Sequence, residues 1–425
     1  MNTADVLVLG GGLCGLTAAA QLGSRATVIE RERRPGGLVR TANFGGYWFD
    51  HVLHLLHLQD PDLESMLAQL LGGALVRCPP QAWVETRAGT ARFPLQMHLG
   101  HLDNDVVTDI IAELSELTYG PERAAATNYR ELLQRSFGDT LFDLFFRPYN
   151  EKMWKRDLTG LGQAGFTWNL HRPDLRQVIS GAIDPDRVRP AYNSYAFYPQ
   201  PPAGSPVRGM ETLTVALASQ AHDLRTQHSV TRIVPSERAV HVQTPDGPAV
   251  LRWRDACLST LPLPRAIAMC DGVPPELLTS VKKLRYNLVY SVGLRIRGPR
   301  PDLGHWRYYA DPDLCFTRLV FLHAFDPLLA PADGWPLLAE ITWPAEQPID
   351  EAALVASVEA DVRSLDLIPD GSELLSTHVI VADPAYVVFA LDDQQVVQQA
   401  AQWLREQGLH TLGRYGSWEY SSMAS

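Results

Sequence analysis

Apolar residues recur along the chain at two spacings, which separate the predicted helices from the predicted strands. Apolar positions three and four apart predict helices over residues 62–71, 104–117, 211–221 and 351–365. The same spacing continues over residues 129–154, where Pro148 predicts the end of a helix or a kink. The middle of the first half is therefore predicted to be mainly helical.

Short apolar runs predict the strands of two sheets. Residues 6–9 and 26–30 begin the first sheet, and residues 229–234, 239–244, 249–253 and 257–262 continue it. A second sheet is predicted from residues 286–297, 318–322 and 337–343. The stretch 194–206 is rich in Pro, Tyr and Gly and predicts a loop that crosses between domains. The first domain is therefore predicted to be discontinuous in sequence.

Three glycines follow the first strand in the spacing G-x-G-x-x-G. Gly10 permits a tight turn, Gly12 lets the backbone approach a pyrophosphate, and Gly15 lets the next helix pack closely on the sheet. Glu30 ends the second strand, where its carboxylate can accept hydrogen bonds from a ribose. Glycine turns also occur for packing alone, but strand, turn, helix, strand and acid occur here in the order of a dinucleotide-binding unit. We therefore predict a Rossmann-like α/β domain that binds a dinucleotide.

Length and composition agree with a multidomain enzyme. The chain has 425 residues, 46% hydrophobic and 20% charged, which predicts two or three domains. A formal net charge of −11, without a basic cluster, argues against a nucleic-acid partner. The apolar runs are too short for a membrane span, and no secretory signal is evident, so a cytoplasmic location is expected.

Metal and disulfide sites are not expected. The five cysteines are scattered without a C-x-x-C pair, which argues against a disulfide framework or a zinc site. His51, His54 and His57 are three apart, but a helical surface or core histidines with satisfied hydrogen bonds explain that spacing as well as metal ligation does.

Several further motifs, in order along the chain, resemble one flavoprotein superfamily. They are Gly36-Gly37, Phe49-Asp50, the run 146–154 (FRPYNEKMW), Asn193 before Phe197-Tyr198-Pro199, the run 292–295 with Gly298, Trp306 to Tyr309, Ala385-Tyr386, and the closing run 413–420 (GRYGSWEY). Together they resemble the superfamily of FAD-dependent amine oxidases and protoporphyrinogen oxidases, and within it the UDP-galactopyranose mutases. The resemblance implies an α/β fold: a discontinuous Rossmann-like FAD-binding domain (1–60, 205–265 and 405–425), a mainly helical insertion (61–190) and a β-sheet substrate domain (191–204 and 266–404).

The resemblance also implies a chemistry. In that family the N5 atom of reduced FAD attacks the anomeric carbon of a nucleoside-diphosphate sugar, and the flavin–sugar adduct lets the ring reclose as furanose or pyranose. NAD(P)H is needed only to reduce the flavin first. The implied partner is thus a nucleoside-diphosphate sugar, and a homo-oligomer is compatible with the family.

Site residues follow from the matched positions. Arg147 and Arg295 match the arginines that hold the diphosphate, since paired guanidinium groups bind such an anion bidentately, although Arg297 competes with Arg295 for its position. His54 matches a histidine beside the isoalloxazine. Predicted substrate contacts are Tyr149, Asn193, Tyr308, Tyr386 and Tyr420, and predicted cofactor contacts are Gly10, Gly12, Leu13, Cys14, Gly15, Glu30, Arg31, Gly37, Leu38, Gly413, Arg414, Tyr420 and Met423.

Departures from the family pattern leave the substrate open. Val52-Leu53 replaces the Gly-Gly that usually precedes the flavin-facing histidine, which adds bulk and restricts movement of this segment. Val387 replaces a proline, and residues 201–206 replace a compact glycine pair, so an altered substrate is expected. An FAD oxidoreductase of the amine-oxidase type, acting on an amine, alcohol or sugar, is the alternative. A third hypothesis is a binding protein that holds little flavin. It is motivated by the end of the sequence at Ser425, where the family has a helix.

Overall fold

The computed structural model describes residues 3–121, 124–163, 172, 174–187 and 195–424. Its strands are β1 (Thr3–Leu9), β2 (Ala26–Ile29), β3 (Thr41–Phe44), β4 (Tyr47–Asp50), β5 (Leu56–His57), β6 (Leu75–Arg77), β7 (Ala82–Thr86), β8 (Gly89–Arg92), β9 (Ala196–Pro199), β10 (Asp223–Arg225), β11 (Ser229–Val234), β12 (Ala239–Thr244), β13 (Gly247–Ser259), β14 (Arg285–Arg297), β15 (Trp306–Tyr309), β16 (Arg318–Phe321), β17 (Gly334–Pro344), β18 (Glu373–Val388) and β19 (Leu409–Thr411). Its α-helices are α1 (Leu13–Leu22), α2 (Pro61–Leu71), α3 (Asn104–Tyr119), α4 (Tyr129–Leu141), α5 (Arg147–Trp154), α6 (Leu175–Ile183), α7 (Glu211–Gln220), α8 (Leu263–Met269), α9 (Pro275–Val281), α10 (Glu351–Ser364), α11 (Asp393–Glu406) and α12 (Gly413–Gly416).

The first sheet has the order β10-β2-β1-β13-β12-β11, with β19 also beside β13. Strands β10, β2, β1, β13 and β19 run parallel, and β12 and β11 add an antiparallel edge. Its strands come from the start, the middle and the end of the chain, so the predicted discontinuous Rossmann-like fold is confirmed. The carboxyl ends of β1, β2 and β13 meet at one edge, where α/β sheets bind their ligands.

One prediction for this sheet was wrong. The segments 249–253 and 257–262 are not two strands, because β13 runs without interruption from Gly247 to Ser259. The first half of β13 pairs with β12 and the second half with β1. Arg254 and Asp255 look like a break in the sequence, but both are exposed positions on the strand and form ion pairs with Asp5 and Arg25.

The second sheet has the order β18-β14-β17-β16-β15-β7-β8. Its long central pair, β14 and β17, is antiparallel from Asn287 opposite Pro344 to Arg297 opposite Gly334. One face packs on α10, whose Leu354, Val358 and Val362 are buried against it. The 16-residue strand β18 was not predicted, because Asp383-Pro384 interrupts its apolar pattern. The other face of this sheet contributes to the candidate site.

The helical insertion bends at a place that the sequence did not indicate. Gly138, near the end of α4, has a left-handed φ of 79°, and residues 142–146 form a wide π turn before α5. Of the two alternatives predicted for Pro148, a helix end is wrong, because Pro148 lies in the first turn of α5, where its missing N–H costs little. The irregular helical turn of residues 142–146 lies directly before α5. None of the helices in the described ranges is long and apolar enough to cross a membrane. The predicted fold class is confirmed, whereas the residue boundaries of the domains stay a prediction.

Candidate functional site

The glycine turn places the start of α1 at the sheet edge. Gly10 has a φ of +102°, and a Cβ atom built there would clash with Thr260 Oγ1. A Cβ atom on Gly15 would clash with the carbonyl oxygen of Gly10. Helix α1 begins after Gly12 without a side-chain cap, so its first amides face the neighbouring cavity without a capping side chain. Only glycine fits this tight approach of backbone to backbone.

Glu30 closes the turn from the second strand. Its Oε2 accepts a hydrogen bond from the Gly11 amide at 2.7 Å, and its Oε1 accepts one from the Glu32 amide at 2.8 Å. The Gly36 amide donates to the Gly11 carbonyl at 2.8 Å, which brings the second glycine pair over the first. Each carboxylate oxygen of Glu30 keeps a further lone pair, with which it can accept a ribose hydroxyl.

A cavity of about 850 Å³ extends from this turn to the second sheet. The predicted cofactor residues that line it are Gly10, Gly12, Leu13, Cys14, Glu30, Arg31, Gly37, Leu38, Gly413, Arg414, Tyr420 and Met423. Gly15 does not line the cavity and acts through packing. The size falls within the roughly 300–1,000 Å³ typical of ligand and cofactor sites. We call this space the first cavity.

Arg414 is a cation that lies among the aromatic residues of the first cavity. Its guanidinium lies 4.2 Å from the ring centroid of Tyr420 and also faces Tyr386 and Tyr415. Its Nη1 donates to the Ser421 carbonyl at 3.2 Å, whereas its buried Nε has no hydrogen-bond partner in the described part of the chain. A buried donor without a partner and the uncapped start of α1 both suit an anionic or carbonyl-rich cofactor such as FAD.

His54 lines the first cavity as a neutral imidazole. Burial, and next the positive charge of Arg414, lower the pKa of His54 to about 4. Its Nδ1 lies 3.1 Å from the Val52 carbonyl, so the neutral ring donates Nδ1–H there and keeps Nε2 as an acceptor. His51, His54 and His57 lie on an irregular segment and in β5, not on a helix. Within the described ranges, no three His, Cys, Asp or Glu side chains are placed to share a metal ion.

A second cavity of about 200 Å³ adjoins the first, and both are lined by Val289, Arg318, Tyr386 and Tyr420. Its wall brings together the four described tyrosines that were predicted to contact substrate, namely Tyr149, Tyr308, Tyr386 and Tyr420. Tyr149 and Tyr308 meet edge to face at 5.6 Å, and Tyr386 stacks on Tyr420 at 6.2 Å. Burial raises the pKa of Tyr149, Tyr308 and Tyr386, so these phenols stay neutral donors.

A buried ion pair that was not predicted from the sequence forms part of the second cavity. Arg318 on β16 and Glu340 on β17 are directly opposite in the antiparallel register, and Arg318 Nε donates to Glu340 Oε2 at 2.7 Å. The side chains are only 15% and 5% exposed. Each is a charged residue inside an apolar strand run, and this was the available signal, because charges are seldom buried there without a partner.

Arg147 and Arg295 lie outside both cavities. Arg147 is 43% exposed, and its Nε lies 3.1 Å from Asp143 Oδ1 on the same helical stretch. Arg295 lies over the ring of Tyr47 at 4.9 Å and donates to Ser376 Oγ. It stands six residues along β14 from the cavity residue Val289, a distance of about 20 Å on a strand. Their roles toward a diphosphate therefore stay a prediction.

Arg297, the competitor of Arg295, is exposed and forms an ion pair with Glu373. Asn193 lies outside the described residues.

Comparison with known proteins gives a family and a fold. The family model described as flavin containing amine oxidoreductase matches residues 13–410. A phytoene dehydrogenase from Streptomyces griseus is 28% identical over 378 residues, covering 77% of this chain and 70% of that protein.

Two solved structures share the fold at lower identity. Reduced UDP-galactopyranose mutase matches with a TM-score of 0.87 and 19% identity, covering 99% of this chain and 92% of the other. A protein described as a putative protoporphyrinogen oxidase from Exiguobacterium sp. 255-15 matches with a TM-score of 0.71 and 16% identity, covering 97% and 94%.

Proposed function

This chain belongs to the family of flavin-containing amine oxidoreductases, and from this premise we propose that it is an FAD-dependent mutase-like enzyme acting on a nucleoside-diphosphate sugar. When bound and reduced, FAD supplies a nucleophilic nitrogen that can attack an anomeric carbon. The observation that carries the proposal is the gathering of Tyr149, Tyr308, Tyr386 and Tyr420 around Arg318, beside the first cavity. The fold it shares with reduced UDP-galactopyranose mutase supports it.

Cofactor binding rests on residues of the first cavity. The amides at the start of α1 would hold the pyrophosphate, because they point their N–H groups and the positive end of the helix dipole at it. Glu30 would accept hydrogen bonds from the adenosine ribose. Arg414 would direct its unpartnered Nε toward the flavin side, where neutral His54 offers an acceptor.

Substrate binding rests on the second cavity. Phenol hydroxyls donate hydrogen bonds to phosphate or sugar oxygens without adding charge, and their rings pack on the sugar faces. Arg318 would supply a positive charge beside Tyr308, whose ring centroid its guanidinium faces at 5.8 Å. Arg147 and Arg295 stay predicted diphosphate contacts from the family resemblance alone, because their side chains contact Asp143 and Ser376 outside both cavities. NAD(P)H is the proposed reductant.

The test is product analysis with reduced enzyme. Protein reduced with dithionite, and separately with NADPH, is incubated with UDP-galactopyranose and related sugar nucleotides, and the products are separated by chromatography. We expect furanose isomers from the reduced protein and none from the oxidised control. A reduced, flavin-loaded protein that converts none of these sugar nucleotides would overturn the proposal.

A second candidate is an FAD oxidoreductase that removes hydride from an amine, alcohol or sugar carbon. The observation that favours it is the position of Arg147 and Arg295 outside both cavities. The charged residues that line the second cavity are then Arg318 and Glu340, which pair with each other. Anaerobic bleaching of the flavin by a candidate donor, followed by hydrogen peroxide release in air, would support it. A flavin that stays oxidised with every donor class would exclude it.

A further inference from the structure

We propose that Glu340 is a positioning residue that holds the loop of residues 52–54 in place against the cofactor. Its carboxylate contacts two different elements at once. Oε1 accepts a hydrogen bond from the Leu53 amide at 2.7 Å, and Oε2 accepts one from Arg318 Nε at 2.7 Å. The wall of the first cavity and the buried pair of the second cavity therefore share one side chain.

Both oxygens are used in a buried environment. Glu340 is only 4% exposed, so removing either partner would leave a carboxylate oxygen short of donors. Hydrogen bonds to a charged group are roughly twice as strong as neutral ones, and the cross-strand register places Arg318 directly opposite. The strand pair thus holds Glu340 in one geometry, and Glu340 holds the loop.

The loop has few other hydrogen bonds. Among the hydrogen bonds of the described residues, the one from Leu53 to Glu340 ties residues 52–54 to another element, whereas the His54 ring bonds within the loop, to the Val52 carbonyl. Val52 packs beside Val289 and Ala382, and Leu53 packs against a buried apolar cluster that includes Val39 and Leu55. These contacts hold the loop on the core, but apolar contacts are not directional and do not orient its polar groups. The hydrogen bond between Leu53 and Glu340 therefore positions the His54 ring in the first cavity.

The inference rests on one part of the proposed function, FAD in the first cavity, and not on the mutase reaction. Two double variants distinguish the effect of the Leu53–Glu340 hydrogen bond from that of the Arg318–Glu340 ion pair. Arg318→Met with Glu340→Gln keeps an acceptor for the Leu53 amide, whereas Arg318→Met with Glu340→Leu removes it. Neither variant leaves an unpaired buried charge, so both are expected to fold.

The readouts are FAD affinity, the flavin absorption spectrum and hydrogen exchange of the peptide containing residues 51–55 in FAD-free protein. We expect the Glu340→Leu double variant to bind FAD about tenfold more weakly than the Glu340→Gln double variant, because it leaves the Leu53 amide without an acceptor. Its flavin spectrum should shift, and the peptide should exchange faster. The Glu340→Gln double variant carries the same Arg318→Met change, so it is the reference. It should bind FAD more tightly than the Glu340→Leu double variant, and its peptide 51–55 should exchange more slowly.

Equal FAD affinity, spectra and exchange in the two folded double variants would overturn the inference. If either double variant fails to fold, Glu340→Asp replaces it, because the shorter carboxylate cannot reach Leu53 and Arg318 together. Unchanged exchange over residues 51–55 in Glu340→Asp would also overturn it. Absence of mutase turnover with normal flavin behaviour would count against the proposed function alone.

Discussion

The amide of Leu53 donates a 2.7 Å hydrogen bond to Glu340, a residue that lies 287 positions later in the chain. This contact joins the loop beside His54 to the long strand β17 of the second sheet. The resemblance noted from the sequence led us to expect a Gly-Gly pair at this loop, and the chain has Val52 and Leu53 there. Residues with a Cβ atom reach fewer backbone conformations than glycine does, so the restricted movement of this loop stays a prediction to which the Leu53–Glu340 hydrogen bond adds a second constraint.

Replacing Gly15 by Ala should weaken FAD binding. The added Cβ would clash with the carbonyl oxygen of Gly10, so the turn must open and the first amides of α1 must move. Backbone displacement of this kind costs about 1–3 kcal/mol, which corresponds to roughly a 5- to 150-fold weaker affinity. FAD titration of the unliganded protein measures it. Gly160→Ala is the matched control, because a Cβ there meets no atom within 4 Å, and equal affinities in the two variants would contradict this account of the turn.

Local motifs were the predictable part of the site. The glycine turn, Glu30 and the tyrosine positions each depend on a few neighbouring residues, and the structure gathers them around two adjoining cavities. Arg318 and Glu340 each stand out as a charge within an apolar strand run, but their pairing could not be predicted, because it depends on the register between β16 and β17. The same holds for β13, whose exposed residues in mid-strand look like a turn until both partner strands are known.

Asp50 should make the protein more stable as the pH falls from 6 toward 4. Burial raises the pKa of Asp50 from 3.8 to about 6, although Thr41, Tyr198 and the Met210 amide donate hydrogen bonds to it. A raised folded-state pKa means that the folded protein binds the proton more tightly than the unfolded chain does. Ionised Asp50 therefore lowers the free energy of unfolding. This destabilisation is absent below pH 4, grows between pH 4 and 6, and reaches about 3 kcal/mol above pH 6.

Asp50→Asn tests this dependence through urea unfolding at several pH values. The variant should lose the contribution of Asp50 to the slope between pH 4 and 6, so its stability relative to wild type should rise with pH over that window. The exposed residue Asp246, changed to Asn, is the control. A relative stability that stays constant with pH would show that Asp50 does not titrate in this range.

His54 should have the opposite effect to Asp50 and make the protein less stable as the pH falls. Because burial lowers its pKa from 6.5 to about 4, the unfolded chain takes up the proton first as the pH falls. The stability that neutral His54 provides is therefore complete above pH 6.5 and is lost as the pH falls toward 4, by up to about 3 kcal/mol. His54→Gln should reduce the loss of unfolding free energy between pH 6.5 and 4.5, whereas His222→Gln on the surface should not. Identical pH slopes in His54→Gln and wild type would refute the neutral buried state.

Removing one phenol hydroxyl from the second cavity should weaken substrate binding and leave FAD binding intact. Tyr386 lines both cavities and lies beside Tyr420, so Tyr386→Phe keeps the ring packing and deletes one donor. A hydrogen bond to a charged phosphate oxygen contributes about 1.5–3 kcal/mol, so the Kd for UDP-galactose should rise roughly 10- to 150-fold. Isothermal titration of the FAD-loaded protein measures this, with Tyr119→Phe, which is 80% exposed, as the control. Equal affinities for the two variants would mean that the phenols of this cavity pack against each other and do not bind the sugar nucleotide.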